Sequence, residues 1–347
     1  MKNIVVAGGG VLGSQIAYQT AYKGFHVTVW LRSEASIERA KPKFERLCGI
    51  YQQTLEAMKP LCGSDTQMYA RGLVPGMKDM TPEKLDELKI QAVAAYEGLV
   101  YETDMAKAVA DADLVIESVA EAPADKAAFY QQLAPLLPEK TIIATNSSTM
   151  LPSAFRDYTG RPEKYLALHF ANEVWKNNTA EVMGHDGTDP AAYEAVAQFA
   201  QEISMIPLRL KKEQPGYILN SLLVPFLNAG QALLAKGVAD PETIDLTWRC
   251  ATGAPAGPFQ ILDVVGLTTA YNIVIMNPEA QNPDSIQAEG TFGLLKNDYG
   301  FRRFLTAGKV KIRIELFFLA LGFNLTKYWM KREHNRLSQH LSTVKLE

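Results

Sequence analysis

Apolar and polar positions divide the chain into a first part patterned as strands and helices and a second part patterned as helices alone. The opening run NIVVAG is apolar, β-branched and bounded by glycine, as a strand buried on both faces must be. VLGSQIAYQTAYKG follows with helical spacing and stops at Gly24, and HVTVWLR reads as a second strand. A β-α-β opening predicts a doubly wound, Rossmann-like α/β sheet. Residues 34–95 interrupt the alternation with helical spacing in ASIERAKPKFERLCGIYQQTLEAMK and TPEKLDELKIQAVAAY, which predicts a helical excursion from the sheet. Strands resume in LVYETD, DLVIESV, TIIATN, KYLALHF, AEVMG and MIPLRL, with helices in DKAAFYQQLAPLL and DPAAYEAVAQFAQEI. After KKEQPG no alternation returns, and YILNSLLVPFLNAGQALLAKG and DPETIDLTWRCATG are helical. The expected organisation is an α/β domain over 1–212, an all-helical C-terminal domain over 213–308 that serves substrate binding and dimerisation, and an atypical tail over 309–347.

Composition narrows the class without naming it. The chain has 347 residues, enough for two domains that each bury a core. A net charge of −3 offers no general positive field for nucleic acid. Cys48, Cys62 and Cys250 are scattered, with neither metal-ligand spacing nor a disulfide framework, so no metal is expected and a reducing, cytoplasmic setting fits. MKNIVVAGGG enters a strand at once and has no signal-peptide pattern. IRIELFFLALGFNLTKYWM, residues 312–330, carries Arg313, Glu315 and Lys327, and its apolar run is short of the roughly 20 residues a span needs, so no membrane association is expected.

The first chemistry lies in GGGVLG. Gly8, Gly10 and Gly13 have G-x-G-x-x-G spacing between a strand and a helix, the context in which the motif binds a dinucleotide. Gly8 allows the tight turn, Gly10 admits the pyrophosphate, and Gly13 lets helix pack on strand. Val11 and Leu12 open the helix whose N-terminus faces the phosphates. An acidic residue ordinarily ends the second strand and binds the adenosine ribose. Leu31 stands there instead, followed by Arg32, which can pair with a 2′-phosphate, and Ser33, which can donate to it. The expected cofactor is therefore NADP in preference to NAD, with Glu34 as a ribose partner should the strand end later.

A second concentration of chemistry is HFANEVWKNNTAEV, residues 169–182, which sets polar groups between two apolar runs. His169 ends one strand and Glu181 begins the next, so the two can face each other across the sheet, where a carboxylate fixes the tautomer of an imidazole. Asn146, Ser147 and Ser148 in TNSST fall at the carboxyl end of another strand, where ligands of open α/β sheets collect. Asn220 opens the helical region just after Gly216.

These pieces, together with DLVIESVAEAPADK, QPGYILNSLLVPFLNAG and GAPAGPFQILDVVGL, resemble in order the 3-hydroxyacyl-CoA dehydrogenase family over most of residues 1–300. The resemblance implies NAD(P)-linked interconversion of a 3-hydroxyacyl-CoA and a 3-ketoacyl-CoA in fatty-acid metabolism, an acyl-CoA substrate and a homodimer. It implies His169 as general acid and base, Glu181 as its orienting carboxylate, and Ser148 and Asn220 as hydrogen-bonding partners of the reacting oxygen or the imidazole. Glu121 and Lys126 match residues near the nicotinamide and its ribose, and Asn172 matches one that helps hold cofactor and substrate.

The chain departs from the family at several places. Glu173 stands where the family commonly has proline, and Trp175 and Lys176 replace smaller apolar residues in a stretch expected near the acyl pocket. Lys41, Lys43, Arg46 and Lys59 are available for CoA phosphates but match no family residues, and a solvated helix face accounts for them as well. Past Lys309 the family's glycine-rich ending is replaced by a basic and apolar run, read as foreign to the family and produced by a shifted frame, or else as an amphipathic helix that docks on a partner subunit. Two alternatives stay open: a dehydrogenase of a 3-hydroxy acid or sugar acid without CoA, and a non-catalytic dinucleotide-binding relative.

Overall fold

The strands foreseen in the pattern all form and share one sheet. They are β1 (Asn3–Ala7), β2 (His26–Trp30), β3 (Val100–Glu102), β4 (Leu114–Glu117), β5 (Ile142–Thr145), β6 (Tyr165–Phe170), β7 (Thr179–Met183) and β8 (Ile206–Arg209). Their order is β3-β2-β1-β4-β5-β6-β7-β8. Pairing is parallel except between β6 and β7, which run antiparallel with His169 directly opposite Glu181. The computed structural model describes residues 1–265. The tail 309–347, with the segment 312–330, and the end of the expected helical domain lie outside the described residues.

Among the described residues the helices are α1 (Val11–Tyr22), α2 (Glu34–Met58), α3 (Pro82–Glu97), α4 (Met105–Val109), α5 (Pro123–Leu133), α6 (Pro190–Glu202), α7 (Tyr217–Ala235), α8 (Pro241–Thr252) and α9 (Pro258–Val265). The helical excursion is α2 with α3. Ile37, Ala40, Phe44, Leu47, Tyr51, Leu55 and Met58 recur every three or four positions and bury one face of α2. Ser33 accepts from Ser36 N–H and Thr81 from Lys84 N–H, which caps α2 and α3. One apolar core, around Val6, Phe44, Tyr51 and Leu168, joins the excursion to the sheet. A second, around Val5, Val115, Phe129 and Ile143, packs the other strand faces against α4 and α5.

The chain divides into one compact unit spanning Met1–Ser221 and another beginning at Leu222. The first unit reaches past the expected boundary near 212 because the opening of α7 is tied to the sheet: Tyr217 is buried, and Ile218 and Leu219 donate their N–H groups to Glu181. In the second unit, Asp240 caps α8 through Thr243 N–H, Gly253 ends that helix at φ 72°, and Asp245 accepts from the N–H groups of Phe259 and Gln260 at the start of α9.

Candidate active site

The glycine loop has the shape a dinucleotide needs. Gly8 sits at φ 120°, and a β-carbon there would lie 2.3 Å from the Ser118 carbonyl oxygen. At Gly13 a β-carbon would lie 2.4 Å from Gly8 O, so each glycine permits a close approach of backbone to backbone. Gly10 is the reverse case: nothing lies within 4 Å of its missing β-carbon, and it stands uncapped by any side chain at the N-terminus of α1. Val11 is exposed and Leu12 half-buried. This loop leaves open space at N–H groups that have no partner inside the helix, which suits a pyrophosphate.

At the adenosine end, β2 stops at Trp30 and Leu31 is buried under the loop. Arg32 is exposed, and Ser33, though exposed, already caps α2. Glu34 falls in the first turn of α2, past the strand end where a ribose acceptor belongs.

His169 is 5 % exposed and held between two partners. Its Nδ1 lies 3.0 Å from Glu181 Oε2 and its Nε2 lies 3.2 Å from Ser148 Oγ. Glu181 Oε1 accepts from Ile218 N–H at 2.8 Å and Leu219 N–H at 2.9 Å. Burial works to raise the Glu181 carboxyl, but the hydrogen bonds from His169, Leu219 and Ile218 outweigh it and hold it below its ordinary value. An ionised Glu181 accepts the Nδ1 proton, leaving Nε2 to exchange a proton on the side of Ser148. Register places this pair: the antiparallel β6–β7 ladder sets His169 opposite Glu181, and the turn after β5 brings in Ser148.

Behind Ser148 lies a buried polar network whose centre, Glu117 with Tyr130 and Thr145, the sequence did not single out. Glu117 is fully buried and accepts from Lys126 Nζ at 2.6 Å, Tyr130 OH at 2.7 Å, Thr145 Oγ1 at 2.7 Å and Val119 N–H at 2.8 Å. Lys126 also pairs with Glu121 at 3.0 Å, and Glu121 in turn accepts from Ser147 Oγ at 2.6 Å and Ser148 N–H at 2.7 Å. Burial raises the Glu121 carboxyl, but the Lys126 charge and the serine hydrogen bonds bring it below its usual value. Expected at the nicotinamide, Lys126 is instead only 1 % exposed with its ammonium spent on two carboxylates, so it can act on a ligand only through Glu121. The signal in the sequence was the acid–x₃–acid–x₄–Lys spacing across DLVIESVAEAPADK.

Other expected residues fall on both sides. Asn146 is buried, and its side-chain oxygen accepts from Phe170 N–H, so it ties β5 to β6. Asn172 is exposed; its carbonyl holds Asn177, and its side chain has no partner among the described residues. Asn220 is half-buried one turn into α7, its N–H on Gly216 O, and its side chain joins neither His169 nor Ser148. Trp175, expected near the acyl pocket, is a core residue: it is 4 % exposed and packs against Tyr51 at 5.7 Å, with its carbonyl on Gly72 N–H. Glu173 takes φ 59°, which proline cannot adopt, and donates its N–H to Gln15. Lys41 pairs with Glu38, Lys59 with Glu56 and Asp86, and Lys43 reaches Gly9 O at 2.8 Å, so these cations do not gather into a phosphate site.

Residues 3–60 and 76–214 match the model for the NAD binding domain of 3-hydroxyacyl-CoA dehydrogenase, and residues 216–293 match that for its C-terminal domain. Residues 279–329 match a transposase DDE domain, outside the described residues. The mitochondrial hydroxyacyl-coenzyme A dehydrogenase of Homo sapiens is 29% identical over 314 residues, 88% of this chain and 91% of that one. That of Rattus norvegicus is 30% identical, with 79% of each chain covered. A solved structure described as a diketoreductase acting on dicarbonyl compounds is 47% identical at a TM-score of 0.71, covering 86% of this chain and 94% of that one. The fold of M. tuberculosis FadB2 matches at the same TM-score with 24% identity, over 89% of this chain and 99% of that one. The glycine loop and the His–Glu pair thus lie in a chain matched along both of its domains, and this chain belongs to the 3-hydroxyacyl-CoA dehydrogenase family of dinucleotide-linked oxidoreductases.

Proposed function

We propose that the protein moves a hydride between a nicotinamide and the 3-carbon of a 1,3-dicarbonyl substrate, with His169 as the proton donor or acceptor. The observation that carries the reading is the His169 ring held between Glu181 and Ser148. The nicotinamide, when bound, supplies or takes the hydride. In reduction, Nε2 of His169 gives its proton to the 3-oxygen as negative charge grows there. Ser148 Oγ, 3.2 Å from Nε2, marks where that oxygen sits and steadies it by a hydrogen bond. Glu181 balances the imidazolium before the proton leaves. In oxidation the same nitrogen accepts the proton of the 3-hydroxyl. Asn172 and Asn220, whose side chains have no partner among the described residues, are available to hold substrate and cofactor.

NADP is the favoured cofactor, supported by Leu31 in the acidic position and by the exposed Arg32 beside it. An Arg32→Glu variant is expected to reverse the ratio of kcat/KM for NADPH over NADH by about 10-fold or more, a charge-assisted phosphate contact being worth ~1.5–3 kcal/mol. An unchanged ratio removes the argument.

A 3-ketoacyl-CoA is a 1,3-dicarbonyl compound through its thioester, and it is the substrate the family matches support. A second reading, a dicarbonyl substrate without CoA, is favoured by the 47% identity to the diketoreductase and by the engagement of Lys41, Lys43 and Lys59 elsewhere. Acetoacetyl-CoA and ethyl acetoacetate, each tested with NADPH and NADH, separate the two by kcat/KM. Turnover of neither sinks both.

A homodimer formed through α7 is proposed from its apolar exposed side chains Ile218, Leu219, Leu222, Leu233 and Leu234. By length and a mean hydropathy of 1.5 this helix is also apolar enough to cross a membrane. Light scattering on detergent-free protein tests the dimer, and a monomer at micromolar concentration refutes it. The transposase match over 279–329 supports a tail past Lys309 that is foreign to the dehydrogenase.

A further inference from the structure

We infer that Tyr217 is a positioning residue for this reaction, holding the His169 ring by stacking and the Ser147–Ser148 peptide by its hydroxyl; the inference rests on the catalytic reading above. The phenol ring lies parallel to the imidazole, with centroids 4.4 Å apart and planes 14° from coplanar. Its hydroxyl donates to Ser147 O at 2.7 Å. The N–H of that same peptide, on Ser148, donates to Glu121 Oε1 at 2.7 Å. The peptide that carries Ser148 is therefore gripped at both ends, by Tyr217 on its carbonyl and by Glu121 on its N–H. Its rotation is fixed, and with it the direction of Ser148 Oγ toward His169. Burial drives the phenol well above its ordinary value, so the hydroxyl stays protonated and keeps its donor for Ser147 O.

The backbone of Tyr217 serves the same pair. Gly216 at φ 75° and Tyr217 at φ 55° put two successive residues in the left-handed region, which a bulky side chain rarely occupies unless its surroundings over-determine it. That turn points Ile218 and Leu219 N–H at Glu181 Oε1. Glu181, His169 and Ser148 come from β7, β6 and the turn after β5, and Tyr217 touches or bonds each group through ring, hydroxyl or the adjoining peptides. A phenylalanine would fill the space and keep the stack; only the hydroxyl ties the second half of the clamp.

Two variants separate the parts. Tyr217→Phe keeps the ring and loses the tether, and Tyr217→Leu keeps apolar bulk and loses both. The stack is read without substrate, from the His169 imidazole proton resonances, assigned through a His169→Ala control. The face of the aromatic ring displaces them upfield in the parent and in Tyr217→Phe, and the displacement vanishes in Tyr217→Leu. The clamp is read from kcat at saturating NADPH and substrate: about a 10-fold loss for Tyr217→Phe and about 10²-fold for Tyr217→Leu, with the NADPH dissociation constant unchanged. Undisplaced resonances in the parent overturn the stack, and an undiminished kcat in Tyr217→Phe overturns the tether. Losses that follow only a weaker NADPH affinity or a smaller folded fraction make Tyr217 a packing residue and overturn the inference. A parent that turns over no substrate sinks the proposed reaction instead, while the resonances still decide whether Tyr217 holds the ring.

Discussion

Replacing Glu181 by glutamine changes one atom at the centre of the site and little else. The glutamine carbonyl oxygen can still accept from Ile218 and Leu219 N–H, as Oε1 does at 2.8 and 2.9 Å, so α7 keeps its attachment to β7. The amide nitrogen then takes the place of Oε2, 3.0 Å from His169 Nδ1. Two N–H donors cannot face each other there, so the neutral ring moves its proton to Nε2, the nitrogen that must accept a proton in oxidation. In reduction the imidazolium loses a charge-assisted bond worth about 1.5–3 kcal/mol, which corresponds to about 10- to 150-fold in rate. Since the glycine loop is untouched, the NADPH dissociation constant should stay where it is, and kcat should carry the loss. Fluorescence titration of NADPH and steady-state kinetics with a 1,3-dicarbonyl substrate measure the two separately. A kcat within about threefold of the parent would refute the role of the carboxylate, because an interaction of that size cannot be lost silently.

Three further perturbations address the cofactor loop, the buried network and acid. Gly8→Ala forces a β-carbon to 2.3 Å from Ser118 O and demands φ 120° of alanine, so calorimetry should find NADPH binding abolished or the protein unfolded; normal binding contradicts the loop geometry. Lys126→Met strands the Glu117 carboxylate in the core and should cost about 3–5 kcal/mol in denaturant unfolding, whereas a loss under 1 kcal/mol, by about the measure of an exposed pair, shows that the network is dispensable. The folded values of Glu181 and Glu121 are depressed, so both contribute stability that is present above the ordinary carboxylate range and lost as pH falls through their lower folded values. The melting temperature should therefore drop on acidification below about pH 4.5, and less steeply in Glu181→Gln; equal slopes contradict the assignment.

The strands and the His169–Glu181 pair were legible because both rest on local pattern. The apolar runs define β6 and β7, and pairing them as antiparallel neighbours brings the two residues opposite each other. The glycine loop was legible for the same reason, since its three glycines sit between one strand and one helix. Glu117 and Tyr217 were not. Glu117 reads as one more residue of an apolar strand until Lys126, Tyr130 and Thr145 converge on it from α5 and β5. Tyr217 reads as the apolar start of a helix, because its partner atom is a backbone carbonyl on Ser147, far away in the chain, and its left-handed φ has no signature beyond the preceding Gly216. Trp175 misled for a related reason: its replacement of a smaller family residue suggested the acyl pocket, while the small Gly72 opposite it makes room for core packing. The end of the first unit moved to Ser221 because hydrogen bonds to Glu181, which composition does not reveal, carry the first turn of α7 into it.

Direct hydride transfer, with His169 moving the proton, underlies every role assigned to the site. It is tested most directly by supplying NADPH deuterated at the transferring C4 position to the parent and to His169→Ala, with acetoacetyl-CoA and ethyl acetoacetate as acceptors. Deuterium is expected at C3 of a 3-hydroxy product from the parent, with a rate lower by about 10²–10⁴ in the variant at unchanged cofactor affinity. A product without deuterium, or a variant as fast as the parent, would contradict it.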